Sequence, residues 1–216
     1  MERYHEWMKD PKMLELTGSE PLSLAEEIAM QKSWRDDNDK CTFIVLAKER
    51  CTFLPDGHQE DPAFVDRNLS AMVGDVNLFF SEEDEDEDEE DGIESSNQGQ
   101  ETKLGGSHKQ AEIDIMIAES DHRGQGLGRE ATCLMLLYGA SNVGFRRAFC
   151  KINQDNHASR NLFEKKLGFI ECAYAECFQQ YELELKRPTT DDLVDCLKDL
   201  VPEYSTFRCS LLDSET

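Results

Sequence analysis

Residues 123–128 form a glycine-rich turn, Arg-Gly-Gln-Gly-Leu-Gly, between a predicted strand and a predicted helix. At the start of a helix the backbone N–H groups lack partners and the helix dipole is positive, so an anion such as a pyrophosphate can bind there. Glycine lets the backbone approach such a group without a side-chain clash. Nucleotide-binding folds use similar turns, and a glycine-rich turn alone is weak evidence. The segment nevertheless lacks the Lys-Ser/Thr pair of a P-loop, and two carboxylates in the preceding strand argue against a dinucleotide-binding fold.

Two acidic residues of that preceding strand are predicted to share one face. Isoleucines at 113, 115 and 117 alternate with Glu112, Asp114 and Met116, a period of two that places both carboxylates on the same side. A carboxylate beside a reacting amine can accept its proton. The alternative is that one or both hold a substrate cation or face the solvent, and the residue pattern leaves this open.

The elements that must position these residues follow one another along a chain of 216 residues, which is long enough for one α/β domain. Ser23 and Glu26 have capping-box spacing and predict a helix over residues 23–33. Further helices are predicted at residues 129–139, after Asn156, and at 191–200. Strands are predicted at residues 41–47, 71–80, 111–117, 148–153, 169–175 and 177–186, with the third and fourth parallel through a helical crossover.

The charge is strongly negative and unevenly placed. The formal net charge is -23, and residues 82–91 are ten consecutive acids. This balance argues against a nucleic-acid binder, because phosphate recognition depends on Lys and Arg. Residues 81–110 are predicted to be a disordered insertion, either an inert long loop or a docking site for a basic partner. It separates an N-terminal half at 1–80 from a second half at 111–187, followed by a C-terminal helix and tail at 188–216.

Eight cysteines are present without a Cys-x-x-Cys pair or a secretory leader, so reduced thiols are expected and no metal site is predicted. No apolar stretch approaches the roughly 20 residues that a membrane span requires. We therefore expect a soluble protein in the cytoplasm, with the nucleus as a second location that the sequence leaves open.

Two ordered motifs carry a resemblance to a known family. Residues 123–128 match the pattern Arg/Gln-x-x-Gly-x-Gly/Ala, and residues 156–169 read Asn-x-x-Ser-x-x-Leu-Phe-x-x-x-Leu-Gly-Phe. Together, at this separation, they resemble the GNAT superfamily of N-acetyltransferases. Residues 4–8, 40–46, 72–79 and 116–119 further resemble the N-acetyltransferase 9 group of that superfamily. The resemblance spans about residues 3–185 outside the insertion. It implies an α/β GNAT fold, with a mixed, mostly antiparallel central sheet flanked by helices, and acetyl-coenzyme A as co-substrate without a metal.

The resemblance also implies roles for individual residues. The backbone at the end of the strand would pair with the pantetheine arm, the turn would hold the pyrophosphate, and two residues of the second motif would contact the arm. The cofactor residues so implied are Met116, Ile117, Ala118, Arg123, Gly124, Gln125, Gly126, Leu127, Gly128, Arg129, Asn156 and Phe163. For Asn156 a plain helix cap is the alternative. Glu112 is the favoured base, since several relatives use an acid at that strand position, with Asp114 as the second candidate.

The chain departs from the family pattern at two places. Phe163 stands where many members have a tyrosine general acid, and phenylalanine has no proton to donate. Tyr181, or Tyr174, could substitute. The family's first strand also has no counterpart before residue 4, which would expose a sheet edge at residues 41–47.

A protein or peptide amine is the expected substrate, and a basic one suits this acidic chain. A protein α-amine needs less help from a base than lysine does, because their reference pKa values are about 7.7 to 8.0 and about 10.4. A small amine remains open. Two alternatives without catalysis are a degenerate GNAT fold that binds coenzyme A or a basic protein, and an acidic, chaperone-like binder acting through residues 82–91.

Overall fold

The structure is a computed structural model, and it describes residues 1–52, 64–83 and 109–201. Most of the predicted insertion at residues 81–110, and the tail beyond residue 201, lie outside the described residues. The prediction that the insertion is disordered therefore stays a prediction.

The described chain contains seven α-helices and six strands. The helices are α1 (Glu2–Trp7), α2 (Pro11–Thr17), α3 (Leu24–Arg35), α4 (Phe64–Asn68), α5 (Leu127–Val143), α6 (His157–Arg160) and α7 (Thr190–Leu200). The strands are β1 (Lys40–Leu46), β2 (Met72–Glu82), β3 (Lys109–Ile117), β4 (Phe145–Asn153), β5 (Ile170–Ala175) and β6 (Gln180–Lys186). A π-helix at Asn161–Lys166 continues α6, and a 3-10 turn at Ser120–His122 precedes the glycine-rich turn.

The strands form one mixed sheet in the order β1-β2-β3-β4-β6-β5. Every neighbouring pair is antiparallel except β3 and β4, which are parallel and joined through α5. This confirms the predicted α/β class, the mostly antiparallel sheet and the parallel crossover. Among the described residues β1 and β5 are the edges, and β1 leaves Phe43 and Ile44 each more than two-fifths exposed. The absence of the family's first strand stays a prediction.

The two faces of the sheet differ in chemistry. One face packs on α5 and α7 through a core that includes Leu78, Ile113, Leu136, Leu183 and Leu193. Strand alternation assigns polar residues to the other face, which lies beneath α1, α2 and α3. Because burying apolar area is the main stabilising term in folding, the first face holds the domain together. The second face is left for polar groups.

Local signals account for most element boundaries. Ser23 and Glu26 form the predicted capping box at the start of α3, with both reciprocal hydrogen bonds. Several boundaries differ from expectation: α5 and β4 are longer than predicted, β6 begins at Gln180 and not at residue 177, and α4 was not predicted. The short helix α2 was not predicted, although Asp10 caps it and Pro11 occupies its first turn. Strand β2 continues to Glu82 and β3 begins at Lys109, so both enter the range assigned to the insertion, where cross-strand pairing outweighs the polar composition.

Gly74 is required by the close approach of β2 and β3. A Cβ atom built on Gly74 would lie 1.9 Å from the carbonyl oxygen of Met116, which is a backbone atom that cannot turn away. We therefore expect Gly74→Ala to lower the free energy of unfolding by about 2 to 3 kcal/mol in chemical denaturation. Gly128→Ala is the control, because its Cβ would make only ordinary contacts at 3.6 and 3.8 Å. Equal stability of the two variants would contradict this account.

Candidate functional site

A wedge opens between β3 and β4 in the middle of the sheet. Their parallel pairing ends at Glu112 opposite Phe149, and β3 then continues to Ile117 and β4 to Asn153 without pairing to each other in the described register. Backbone groups that would complete a sheet therefore border a gap. An extended group carrying amides can insert at such an edge in the manner of an added strand.

The glycine-rich turn lies where β3 leads into α5. Gly124 and Gly126 have φ of 73° and 93°, in the left-handed region that favours glycine, and a Cβ on either would meet no heavy atom within 4 Å. Gly126 is the N-cap of α5 and supplies no side-chain hydrogen bond to the helix start. The first N–H groups of this long helix thus face open space, which is the arrangement that binds a phosphate.

Arg123 fastens the turn to the end of β3. Its Nε donates to the carbonyl oxygen of Ile117 at 2.7 Å, and its Nη2 donates to that of Ala118 at 2.9 Å. Gln125 also closes the turn locally, since its Nε2 donates to the Asp121 carbonyl at 2.5 Å. Both side chains therefore shape the turn. Their own contact with a phosphate, as the family resemblance implied, stays a prediction.

The expectation for the backbone of residues 116–118 needs correction. The Met116 carbonyl points toward Gly74 on β2, and the Ala118 N–H donates to the carbonyl of Val73. Because a strand's backbone groups alternate in direction, only Ile117 of these three faces the wedge, and its carbonyl accepts from Arg123. An inserted arm would thus find the Ile117 N–H before any group of Met116 or Ala118.

Leu127, Gly128 and Arg129 form the first turn of α5. A Cβ atom built on Gly128 would lie 3.6 Å from Leu162 and 3.8 Å from Ile117, so the first turn of α5 lies close to the end of β3 and to the π-helix. Arg129 turns away from the open side, because its Nη2 donates to the carbonyl of Leu200 at 3.2 Å. The guanidinium thereby meets the negative end of α7 rather than the turn.

Asn156 caps the helix α6 that follows β4, and Phe163 lies in the π-helix after it. The Asn156 side-chain oxygen accepts from the Ser159 N–H at 3.1 Å, so the residue is the helix cap that was weighed as the alternative. Its Nδ2 group has no acceptor among the described residues, and it can serve a ligand as well. Phe163 is 2% exposed and packs edge-on against Phe169, so it belongs to the hydrophobic core and does not line an open channel.

Helices α1 and α2 cover the polar face at the mouth of the wedge. Met8 and Met13 pack on Met116 of β3 in a small second core. On the other side of the gap, the Asn153 side chain donates to the carbonyl of Glu15 at 2.9 Å. Because α2 contacts the ends of both β3 and β4, it bridges the gap between them. Sequence reasoning missed this helix because Pro11 suggested a break.

The two predicted carboxylates lie at this mouth, on one face as expected, but in different surroundings. Glu112 forms an ion pair with Lys151 of β4, with 3.1 Å between Oε2 and Nζ. Asp114 is accessible to solvent, although many protein atoms lie around its carboxylate. Burial, together with the charges of Glu112 and Asp75, raises the pKa of Asp114 to about 6, while Lys151 opposes the change.

A polar chain beside Asp114 was missed by the sequence analysis. Thr42 Oγ1 donates to Asn77 Oδ1 at 2.7 Å, and Asn77 Nδ2 donates to Asp75 Oδ2 at 2.7 Å. Asp75 and Asn77 are both less than a tenth exposed. The available signal was their spacing of two in an otherwise apolar strand, which places both on the face of Asp114.

Tyr181, the predicted substitute general acid, does not join the carboxylates. It pairs with Ile152 and alternates with the buried Leu183. Its ring therefore lies on the face of the sheet that packs on α5 and α7, opposite the face of Glu112 and Asp114. There the guanidinium carbon of Arg160 lies 3.9 Å from the ring centroid. Tyr174 is also engaged, because its hydroxyl donates to Gln154 Oε1 at 3.0 Å. The prediction of Tyr181 beside Glu112 and Asp114 is wrong in placement.

Within the described ranges, no group of three or more His, Cys, Asp or Glu residues could hold a metal ion. None of the helices in the same ranges is long and apolar enough to cross a membrane.

Comparison with known proteins agrees with this geometry. The model of the acetyltransferase (GNAT) domain family matches residues 1–170. The chain belongs to the GNAT acetyltransferase family. The N-acetyltransferase 9-like protein of Caenorhabditis briggsae is 40% identical over 185 residues, which cover 86% of this chain and 77% of that protein. The human alpha/beta-tubulin-N-acetyltransferase 9 is 43% identical over 183 residues, covering 85% of this chain and 73% of the human one.

Solved GNAT structures share the fold at low sequence identity. Spermidine N-acetyltransferase from Vibrio cholerae, in complex with CoA and spermine, superposes with a TM-score of 0.60 at 16% identity, covering 88% of this chain and 90% of that one. The aminoglycoside acetyltransferase AAC(6')-Ib in complex with coenzyme A gives 0.56 at 14% identity, with coverage of 94% and 93%. These likenesses concern the fold alone.

This GNAT chain is an acetyl-coenzyme A dependent acyltransferase, and its own geometry fits that co-substrate. The open turn at Gly124 and Gly126, with unpartnered N–H groups at the start of α5, suits a pyrophosphate. The Ile117 N–H and the Asn156 amide border the wedge where an extended, amide-bearing arm would lie. When bound, acetyl-coenzyme A supplies an acetyl group activated as a thioester.

Gly126→Ala should separate cofactor binding from backbone strain. The added methyl group would occupy the open space over the turn, so we expect the affinity for acetyl-coenzyme A to fall at least about tenfold in calorimetric titration. Gly144→Ala is a matched control, because Gly144 also has positive φ, at 85°, and open space around its Cβ, but lies at the other end of α5. If both variants lose affinity equally, backbone strain explains the result, and not obstruction of the glycine-rich turn that would hold the pyrophosphate.

Proposed function

We propose that this GNAT acetyltransferase transfers the acetyl group to the N-terminal α-amine of a protein, with Asp114 as the general base. The observation that carries the proposal is the position of Asp114, an accessible carboxylate at the mouth of the wedge, where surrounding protein and the charges of Glu112 and Asp75 raise its pKa to about 6. A base is most effective when its pKa approaches that of the group it deprotonates. Glu112, the base favoured from the family resemblance, is instead paired with Lys151.

The acceptor class follows from comparing proton affinities. A protein α-amine has a reference pKa of about 7.7 to 8.0, whereas the lysine side chain has about 10.4. A carboxylate of pKa about 6 is therefore separated from an α-amine by roughly two units and from lysine by more than four. The same base removes a proton from the α-amine far more readily, and the α-amine is the better-matched acceptor.

The printed names of relatives suggest which protein supplies that amine. The human, mouse and Drosophila melanogaster relatives are named alpha/beta-tubulin-N-acetyltransferase 9. The fly protein is 39% identical over 201 residues, covering 92% of this chain and 84% of its own length. We extend that substrate to this chain as part of the proposal, so the acceptors are the N-termini of α- and β-tubulin.

Different parts of the chain have separate roles in cofactor binding and in proton transfer. The turn and the start of α5 anchor the diphosphate, the wedge between β3 and β4 orients the extended arm, and α2 covers its inner end. Asp114 accepts the proton of the incoming amine, which gives the nitrogen a lone pair for attack on the acetyl carbon. The new C–N bond replaces the C–S bond of the thioester, and coenzyme A would leave as its thiolate. Lys151 pairs with Glu112 and thereby limits the negative charge around Asp114.

The pH dependence of the rate tests the base. Asp114 must be ionised to accept a proton, so the rate at saturating acceptor should fall as pH decreases through about 6. Asp114→Asn should lower kcat by about 10²- to 10⁴-fold and remove this acidic limb. Glu112→Gln is the comparison and should keep the limb, moved to lower pH because the charge of Glu112 helps to raise the pKa of Asp114. The assignment of the base is overturned if Glu112→Gln shows the large loss and Asp114→Asn does not.

A competition assay tests the acceptor. Short peptides copying the N-termini of α- and β-tubulin are offered with acetyl-coenzyme A, beside the same peptides blocked at the N-terminus but carrying an internal lysine. We expect mass spectrometry to find acetylation of the free α-amine at least about tenfold faster. Preferred acetylation of lysine would contradict the proposed acceptor class. Cofactor binding without transfer to any amine would favour the non-catalytic alternative.

A further inference from the structure

We propose that Asp75 is a positioning residue for this reaction: a buried carboxylate, fixed across the sheet, that makes Asp114 a stronger base than it would be alone. The inference rests on the proposed role of Asp114 as the base. Asp75 itself is buried and does not touch the acceptor.

The strand register places the two carboxylates close together on one face. Asn77 pairs with Asp114, and Asp75 pairs with Met116, the second residue along β3. Asp75 and Asp114 are therefore diagonal neighbours across an antiparallel pair, where Cβ atoms lie about 7 Å or less apart. The rigid backbone ladder, rather than flexible side chains, sets this distance.

A hydrogen-bond chain holds Asp75 in one orientation. Thr42 on β1 orients the Asn77 amide, and Asn77 donates to Oδ2 of Asp75. The other oxygen, Oδ1, is buried and has no hydrogen-bond partner in the described structure. Asp75 is only 6% exposed. A carboxylate that served only to tie strands together would use both oxygens, because leaving one buried without a donor is destabilising.

The charges around the pair are mostly negative. The titratable and charged groups around Asp75 and Asp114 come from α1, α3, β3 and β4, and they are Tyr4, His5, Glu27, Glu112, Cys150 and Lys151. Tyr4 lies near enough for the charge of Asp75 to help raise its pKa, after burial. His5 is directed to Glu27, with 3.1 Å between Nδ1 and Oε2, and Lys151 to Glu112. No cation among the described residues is paired with Asp75 itself.

The physical consequence is stronger proton binding at Asp114. Two like charges about 7 Å apart oppose each other's ionisation, and the buried position of Asp75 weakens the screening by water. Burial of Asp75 raises its own pKa to about 6, although the Asn77 hydrogen bond opposes this, so Asp75 is mainly ionised at neutral pH. Its charge then acts on Asp114 through the protein interior, where salt screens weakly.

Asp75→Asn tests the inference because the amide keeps the shape and removes the charge. The acidic limb of the rate profile should move to lower pH by about half a unit to one unit. At a pH above the limb, kcat should fall a few-fold because the base is weaker, whereas the affinity for acetyl-coenzyme A should be unchanged. A residue with only a structural role would not move the limb.

Asp195→Asn is the matched control. Asp195 pairs with Lys198 on the surface of α7 and its side chain is 76% exposed, so the same substitution there should leave the pH profile in place. An unmoved limb in a folded Asp75→Asn variant overturns the inference.

A direct titration separates this inference from the proposed function. Carboxyl ¹³C signals of labelled aspartates are followed against pH without turnover, and the Asp114 signal is identified by its loss in Asp114→Asn. Its midpoint should be lower in Asp75→Asn than in the parent. A shifted signal with no acidic limb in the rate would show that the coupling exists but that Asp114 is not the base.

An unshifted signal overturns the inference whatever the catalytic role of Asp114. Should Asp75→Asn fail to fold, Asp75→Ser is the second variant, because it also removes the charge and keeps an oxygen that can accept from Asn77. The Asp114 midpoint should again be lower than in the parent. An unshifted midpoint in folded Asp75→Ser would overturn the coupling.

Discussion

The early end of the parallel ladder between β3 and β4 is the constraint on which the site depends. Pairing stops at Glu112 and Phe149, and both strands continue beyond it. Had the ladder continued, backbone partners would be satisfied and the centre of the sheet would be closed. The surrounding elements keep the strands apart without leaving the gap unsupported. Gly128 packs between Ile117 and Leu162 at its turn end, and α2 bridges it on the polar face.

The apolar core and the carboxylates lie on opposite faces of the sheet. The face covered by α5 and α7 is apolar and well packed. The opposite face gathers Asp75, Asn77, Asp114 and Glu112, an arrangement that folding alone disfavours. Folding raises the pKa of Asp75 above its reference value, so this group favours the folded state most at low pH, and that contribution is lost as pH rises toward about 6. At neutral pH the folded protein therefore carries an unfavourable ionised group beside the proposed base.

Much of the fold could be predicted because local signals and tertiary packing agree. The alternation in β3, the capping box before α3 and the glycines of the turn each specify one structure. The site was harder, because it depends on registers that no local pattern contains. Glu112 and Asp114 look equivalent in the sequence, and they are distinguished by Lys151, far along the chain on β4, and by Asp75 on β2. Asp75 and Asn77 were overlooked because a mostly apolar strand suggested burial without function.

The positions of two aromatic residues were also predicted incorrectly from the sequence. Phe163 and Tyr181 were assigned to the site from motif position and residue type. The alternation of side chains along β6 directs the Tyr181 ring to the face that packs on α5 and α7, and the π-helix directs Phe163 into the same core. The register of the whole sheet decides on which face a side chain lies. A tyrosine that follows the cofactor motif in the sequence can therefore lie on the face opposite the carboxylates.

The end of β2 and the start of β3 hold the two ends of the segment between them close together. Glu82 and Lys109 are direct cross-strand partners, and Glu83 is held by Arg146 and by Lys186. Both ends of residues 84–108 are thus clamped side by side, at the end of β3 opposite the wedge. A segment tethered in this way can be lengthened, shortened or exchanged for a foreign domain at small entropic expense, because the ladder fixes its ends. A reporter or a targeting module inserted in this segment should therefore leave the wedge between β3 and β4 unchanged.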